Sequence, residues 1–465
     1  MAVLDHARSR SCSPDPSEPA LKRTRVSVSS TLEPVLSTGT AEPSSALTSA
    51  QPERLIDYRN SVVLAPMVRS GTLPTRLVSL RYGADLVWGP EIVAQAIIGT
   101  TRVVDPVTGV IDYRKNNRSI WSTHPIERPY MVFQLGASDP VLAAEAALTV
   151  AQDIVAIDLN CGCPKPFSIS GGMGAALLSK PDVLCSILTA LVAALPTKSV
   201  SAKIRLLPED EPTMDLVRQI AGTGIKALTV HCRTRDMRST ETALWHRLVA
   251  IREEIEGMGI PVICNGDGQG RNDLEKIRGI TSASSIMVAR AAEANPSVFR
   301  AEGPLDIETD VAPFYVRTAL VLDNFFQNTK FCLGSMNIHS LKHYSPPGPP
   351  LQLREATAEL KERRKNLKIA TSKSKNYEML AEVWGIDAEA TRREGIEGVL
   401  GGLREELQIR EARRIEETKS GLGRVGIDKV VEQVEAIGEP LGPAPDLEES
   451  TTELMAESVT AAVEV

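Results

Sequence analysis

Between Val62 and about Ala292 the chain repeats one pattern: a short, apolar, β-branched run, then a stretch with helical spacing of apolar residues. Eight such runs can be read, at Val62–Met67, Leu86–Pro90, Tyr130–Leu135, Val155–Leu159, Val200–Arg205, Ala227–Cys232, Pro261–Asn265 and Ser285–Ala289. Most are separated by segments such as Val141–Gln152 and Pro181–Leu195, where apolar residues recur at i, i+3 and i+4. Strands that are apolar almost throughout are buried on both faces, as in a parallel sheet covered by helices. Eight strand–helix units in roughly 230 residues fit an α/β fold of the (β/α)8, or TIM-barrel, type. Periodicity alone leaves an open doubly wound sheet as the alternative.

The flanks are different in kind. Residues 1–52 are rich in Ser, Pro, Thr and Ala and have few aromatics. Such a segment buries too little surface to offset its ordering entropy, so a disordered tail is expected. Its basic cluster Lys22–Arg25 reads as solvated rather than as a nuclear signal. After the barrel segment (53–311), residues 313–335 read as one helix with an apolar stripe at Phe314, Val316, Leu320, Val321, Phe325 and Phe326. The run Pro346–Pro350 is a stiff break. Residues 354–375 hold eight Lys/Arg against three Asp/Glu, and Asn376–Ile386 reads as a further apolar-faced helix. These segments form a small C-terminal helical domain, 312–387. The remainder, 388–465, reads as a charged helix and a disordered acidic tail.

Charge and cysteine usage narrow the class. The net charge is −7, but residues 426–465 alone carry ten carboxylates against one lysine, which leaves +2 on the preceding residues. The acidity therefore does not exclude a nucleic-acid partner for the body. No apolar run approaches the roughly 18–20 residues of a membrane span. Seven cysteines without regular spacing suit reduced thiols in an intracellular compartment, cytoplasmic or nuclear, better than a disulfide scaffold. The N-terminus shows no signal-peptide pattern. Cys161 and Cys163 are one residue apart with no C-x-x-C partner, so no metal site is expected. Nothing in the sequence specifies an oligomeric state.

In a TIM barrel the chemistry sits at the C-terminal strand ends. Here the first run ends in Ala65-Pro66-Met67-Val68, the third contains Gln134, and the fourth ends in Asn160-Cys161-Gly162-Cys163-Pro164. The fifth carries Lys203 and Arg205, the sixth His231 and Arg233, the seventh ends in Asn265-Gly266-Asp267 and the eighth in Ala289-Arg290. Polar groups at the ends of apolar strands cost stability unless partnered, so so many together point to a site rather than to packing. The turns after the last two strands, with nearby helix N-termini, form the usual barrel phosphate site. Gly162 and Pro164 would hold the Cys163 thiol in a tight turn at the mouth, whereas the other cysteines read as small buried hydrophobes.

The motifs LAPMV (64–68), FQLG (133–136), DLNCGCPK (158–165), GGMGAALL (171–178), AKIRL (202–206), TVHCRTR (229–235), CNGD (264–267) and MVARAA (287–292) resemble those of the tRNA-dihydrouridine synthases. These are FMN-dependent barrel enzymes with a C-terminal helical domain. GGMGAALL and NTKFCLG (328–334) resemble the eukaryotic branch acting on tRNA position 20. The resemblance implies NADPH as electron donor and tRNA as substrate. It implies that Pro66, Met67 and Val68 pack on the flavin, that Gln134 hydrogen-bonds its ring, and that Lys203 approaches its N1/O2 edge. It implies that His231 contacts FMN or uracil, and that Asn265, Gly266, Asp267, Ala289 and Arg290 hold the phosphate. Asn160 and Arg233 would contact the target uridine, and Cys163 would be the general acid that protonates C5 after hydride reaches C6. The basic run 354–375 is a candidate for phosphate contacts with RNA. Two departures stand out: Cys161 occupies a slot where the family has an apolar residue, and residues 345–375 look like an insertion. No double-stranded-RNA-binding pattern is read after the helical domain, though animal members of this branch carry one. A flavin barrel acting on a free pyrimidine, like dihydroorotate dehydrogenase, is the competing reading.

Overall fold

The computed structural model describes residues 56–336 and 358–419. The expected disordered tails, the Pro346–Pro350 break and Arg354–Thr357 lie outside the described residues. Strands are numbered in chain order: β1 (Val62–Leu64), β2 (Val87–Trp88), β3 (Ile92–Val93), β4 (Thr101–Val104), β5 (Ile111–Lys115), β6 (Arg118–Thr123), β7 (Met131–Gly136), β8 (Ala156–Cys161), β9 (Ser199–Leu206), β10 (Ala227–Thr234), β11 (Val262–Asn265) and β12 (Ser285–Val288). Neighbours run β2-β1-β12-β11-β10-β9-β8-β7, all parallel, and β7 pairs back onto β2, which closes an eight-stranded barrel. Each of the eight apolar runs is one barrel strand. A closed barrel has no open edge, so the doubly wound alternative is excluded.

The helices cover the barrel for the reason their spacing indicated. Pro140–Val150 buries Ala143, Ala146, Ala147 and Val150, while Pro181–Ala194 buries Leu184, Ile187, Leu188 and Leu191. Both sets fall on one face at i, i+3, i+4 and i+7. Each buried leucine or isoleucine contributes about 1.5–3 kcal/mol relative to leaving it exposed. Asp139 starts the first helix by accepting from the backbone N–H groups of Val141 and Leu142, both at 2.9 Å, with Pro140 at the first helical position.

Three features depart from the sequence reading. First, β4, β5 and β6 form a separate antiparallel sheet that the apolar runs did not reveal. Its second turn places Asn116 and Asn117 at φ 51° and 58°, a left-handed pair suited to a two-residue hairpin. Trp121 on β6 meets Phe133 on β7 edge-on, with ring centroids 4.9 Å apart, and so fastens this sheet to the barrel. Second, 313–335 is not one helix. It divides into Ala312–Val321 and Phe326–Ser335 around Asp323, whose φ is +49°, and Phe325 is 70% exposed rather than part of a buried stripe.

Third, the boundary at 387 does not hold. Ala388–Leu400 packs on Ala312–Val321, and Val399, Leu400, Leu403 and Leu407 are buried in the same hydrophobic core as the barrel. The segment after 387 is thus two helices, Ala388–Leu400 and Leu403–Lys419, rather than one exposed charged helix. A second core, with Val311, Tyr315, Val316, Ala319, Leu333, Leu380 and Trp384, holds the helical region together.

Candidate active site

Side chains alternate across a strand, and in a parallel pair residues in register point the same way. Register therefore builds the site. Gln134 is opposite Asp158, and Asp158 opposite Ser201. One step up, Asn160 is opposite Lys203 and Lys203 opposite Thr229. The next step aligns Arg205, His231, Asn265 and Met287. The sequence-identified residues of five strands thus converge on the C-terminal mouth.

A buried chain of hydrogen bonds fixes the lower tier. Asp158 accepts from Ser201 Oγ at 2.7 Å and from Gln134 Nε2 at 2.8 Å. That orients the Gln134 amide so that its Oε1 accepts from Asn160 Nδ2 at 3.2 Å. Asn160 Oδ1 then accepts from the backbone N–H groups of Gly162 and Cys163, each at 3.0 Å. Since Asn160 Oδ1 is occupied, the group it can still offer a ligand is its second amide N–H. Gln134 is likewise left with one free N–H. Burial pushes the Asp158 carboxyl up to about 6, against the pull of these donors and of Lys203.

The Cys163 thiol is half-buried in the turn that Asn160 pins from below. Its carbonyl accepts from Ala175 N at 3.0 Å, which ties the turn to the glycine-rich segment. Gly174 there has φ +57°, and a Cβ on it would fall 2.7 Å from the Cys163 carbonyl oxygen. Burial pushes the Cys163 thiol up from its ordinary value, and the carboxyl of Glu91 adds to the rise. Cys161 faces away and is fully buried, as a packing residue.

Lys203 makes no hydrogen bond or ion pair to another side chain among the described residues, and burial together with Arg205 lowers its ammonium to about 8. Burial and the surrounding Lys203, Arg205 and Arg233 cations depress His231 to about 2, so its ring is neutral. Arg233 Nη1 lies 3.3 Å from His231 Nε2. A guanidinium only donates, so Nε2 accepts and the ring proton sits on Nδ1.

Above this tier is a cavity of about 210 Å³ lined by His231, Arg233, Asn265, Gly266, Ala289 and Arg290 among others. Gly266 has φ +119°, and a Cβ there would fall 3.0 Å from that of Ala243. Asn265 Nδ2 donates to the Met287 carbonyl at 2.9 Å. Asp267 lines the cavity too, with both carboxylate oxygens engaged. Its Oδ1 receives Arg233 and Arg290 (2.7 Å to the latter), and its Oδ2 receives Ala243 N at 2.7 Å. It orients the two guanidiniums. Arg233, expected beside the uridine, is buried in this network and lines the same cavity as the phosphate candidates. The helix beginning at Arg290 spans only Arg290–Ala294, and the Arg290 guanidinium donates to the Ser239 carbonyl and to Asp267, each at 2.7 Å.

Pro66, Met67 and Val68 follow β1 in a turn closed by Gly71 N donating to the Met67 carbonyl at 2.8 Å. Pro66 and Met67 are half-buried and Val68 is 55% exposed, which leaves an apolar ledge at the mouth. Asn328 explains part of the NTKFCLG run: its Nδ2 donates to the Arg69 carbonyl at 2.6 Å and its Oδ1 accepts from Thr72 at 2.8 Å. The helical region thereby braces the turn that carries the ledge. Lys330 donates to the carbonyls of Ser372 and Ser374, at 2.6 and 2.7 Å, and so closes the end of helix Ala358–Lys373.

Residues 63–346, more than half of the chain, match the dihydrouridine synthase (Dus) family. The chain belongs to the dihydrouridine synthase family. It is 48% identical over 290 residues to a Schizosaccharomyces pombe protein named tRNA-dihydrouridine(20) synthase [NAD(P)+], a match covering 61% of this chain and 60% of the relative. It is 38% identical over 299 residues to the Saccharomyces cerevisiae protein of the same name, covering 60% of this chain and 77% of that one. A human protein named tRNA-dihydrouridine(20a/20b) synthase [NAD(P)+]-like is 33% identical over 239 residues. Among the described residues of this family member no helix is long and apolar enough to cross a membrane, and no cluster of His, Cys, Asp or Glu could hold a metal.

Family motifs did not single out every residue the site uses. Asp158 and Arg205 stood in the quoted motifs without an assigned role, and Ser201 was visible only as part of an apolar strand. Arg205 crosslinks the mouth, donating to the carbonyls of Gly162 (2.8 Å) and Thr234 (3.0 Å). Glu91 was missed altogether. It lies one residue past the end of the second apolar run, and a lone carboxylate there was the available signal.

Proposed function

We propose that the protein is a tRNA-dihydrouridine synthase that reduces the C5–C6 double bond of uridine at position 20, with FMN as cofactor and NADPH as reductant. The observation that carries this reading is the Cys163 turn: a protonated thiol held at the barrel mouth by Asn160, facing the unpaired Lys203. The names of the relatives support the substrate and the position. The residues present fit FMN. Lys203 offers an ammonium with no hydrogen-bonded side-chain partner among the described residues for the electron-rich edge of the ring, and Gln134 offers an N–H. The turn Pro66–Val68 offers an apolar face. Asn265, Gly266, Ala289 and Arg290 line a cavity suited to a phosphate, and the missing Cβ of Gly266 lets its backbone pass close to Ala243 and His231.

Bound FMN, once reduced by NADPH, supplies the hydride for uracil C6. The chain does the rest. Asn160 presents its free N–H to a uracil carbonyl. Neutral His231 presents Nδ1–H without adding charge. Cys163 gives its proton to C5. A thiol with a pKa at or above about 8.5 stays protonated near neutrality and can act as an acid once held in place. The uridine must leave its stack to reach this depth, as bases do in other enzymes that modify them. Exposed Lys361, Lys368 and Lys373 on helix Ala358–Lys373 are the candidates for phosphate contacts, since Arg363 and Arg364 are engaged by Asp306 and Glu308.

The test uses unmodified tRNA transcript and native tRNA lacking dihydrouridine. Each is incubated with the purified full chain, FMN and NADPH, and dihydrouridine is mapped by position. Product at position 20, lost in Cys163→Ala while FMN stays bound, is the expected result. NADPH consumption without product on either RNA overturns the reading in favour of a free-pyrimidine or other flavin reductase.

A further inference from the structure

The second barrel strand is interrupted. β2 pairs with the start of β7, at Met131 and Val132, and β3 pairs with its end, at Leu135 and Gly136. Gly89 still donates to the Val132 carbonyl at 3.0 Å, but Pro90 and Glu91 leave the ladder, and the Glu91 side chain lies against the end of β7. Gly136 makes room for it: a Cβ at that position would fall 2.7 Å from Glu91 Oε1. Ser168 Oγ donates to the same oxygen at 3.2 Å, and a Cβ on Gly174 would meet both Ser168 Oγ (2.4 Å) and Cys163 Cβ (3.0 Å), which puts the Cys163 side chain beside this pair, where the Glu91 carboxyl raises the thiol. The other oxygen, Oε2, is buried without a hydrogen-bond partner. A carboxyl is rarely left so incompletely paired where packing alone is served.

The charges around the thiol show what this carboxyl does. On β9, Arg205 donates to the carbonyl of Gly162, next to Cys163, at 2.8 Å, and Lys203 stands opposite Asn160, so a thiolate at Cys163 and these two cations would stabilise one another. A thiolate cannot donate a proton. Glu91 is the anionic group facing the sulfur from the other side, with Ser168 between the two chains.

We propose that Glu91 is the positioning residue for the Cys163 proton: its carboxylate keeps the sulfur in the S–H form and, after donation, returns a proton to it. The proposal rests on the dihydrouridine reading above. The proton balance is simple. The S–H bond breaks as the C5–H bond forms, which leaves a thiolate beside a carboxylate. That pair of like charges raises the carboxylate's proton affinity, so it takes a proton from water and passes it to sulfur. No electrons move in these steps.

The experiment compares the FMN-loaded full chain with Glu91→Gln and Gly136→Ala. The first keeps shape and removes the charge; the second keeps the charge and displaces it. Alkylation of Cys163 by iodoacetamide is followed at its own peptide across pH. Both variants are expected to shift the profile to lower pH, with alkylation at pH 7.5 faster by about three- to tenfold. In single turnover, dihydrouridine formation is expected to change less than about twofold at pH 7 and to fall progressively as pH rises through the lowered thiol range, whereas repeated turnover, which needs the proton returned, is expected to slow further. Alkylation profiles that superimpose on the wild type in both variants overturn the proposal. A wild-type chain that makes no dihydrouridine overturns the reaction itself, and the alkylation profiles still decide whether Glu91 governs the thiol.

Discussion

Asp158 shows how one buried carboxyl orders a site. It makes no contact that the sequence motif would assign to catalysis, yet it sets which way Gln134 faces, and through Gln134 the amide of Asn160. Folding raises its pKa from 3.8 to about 6, so the folded protein releases this proton at higher pH than the unfolded chain does. Below pH 4 both states are protonated and the group costs nothing. Above pH 6 both are ionised and the full cost, about 3 kcal/mol, is present. Urea unfolding of the wild type should therefore lose about this much stability between pH 4 and 7 relative to Asp158→Asn. Parallel pH profiles for the two proteins would show that the carboxyl is not ionised alone in the core. The site residues themselves were mostly legible, because polar groups at the ends of apolar runs are conspicuous. Asp158 was not, because a polar residue in mid-strand carries no sign of what it bonds across the sheet.

A buried ion pair ties the helix Leu73–Arg81 to the segment just after β6. Arg76 forms two bonds to Glu127, at 2.6 and 2.9 Å, and its remaining donors reach the carbonyls of Gly71 and Ser122. Thr123 completes the carboxylate. Arg76→Met removes the cation and strands Glu127, which is fully buried, so stability should fall by about 3–5 kcal/mol. Arg76→Met with Glu127→Leu should recover most of the loss. A single variant within about 1 kcal/mol of wild type would mean that water reaches the carboxylate. The barrel strands were readable because burial on both faces makes them uniformly apolar. The antiparallel sheet was not, because its strands mix exposed Val103 and Val104 with buried Ile111 and Tyr113.

The barrel and the C-terminal helices share one core. Leu403 is fully buried against it, although its helix is charged along most of its length. Leu403→Ala should cost about 2–4 kcal/mol, as in other buried leucine truncations, and should lower the thermal midpoint of the barrel and these helices together. Separate transitions, with the barrel unmoved, would show that the helices after 387 fold as an independent unit. The boundary at 387 was misplaced for a related reason: composition there is dominated by exposed charges, and four apolar residues in a charged stretch do not announce what they pack on.

By itself the sequence determined the eight barrel strands, the covering helices and the ring of chemical groups at the mouth. Those properties follow from local periodicity, because apolar spacing and strand-end polarity are written residue by residue. Only the tertiary structure decided which of these groups are free to meet a ligand and which are committed to one another. Asp267 is taken by two arginines, Asn160 retains one N–H, and Glu91, from the break between β2 and β3, is bonded by Ser168 and acts on the Cys163 thiol. Hydrogen bonds and charge interactions act through space between strands far apart in sequence, so no local pattern can encode them.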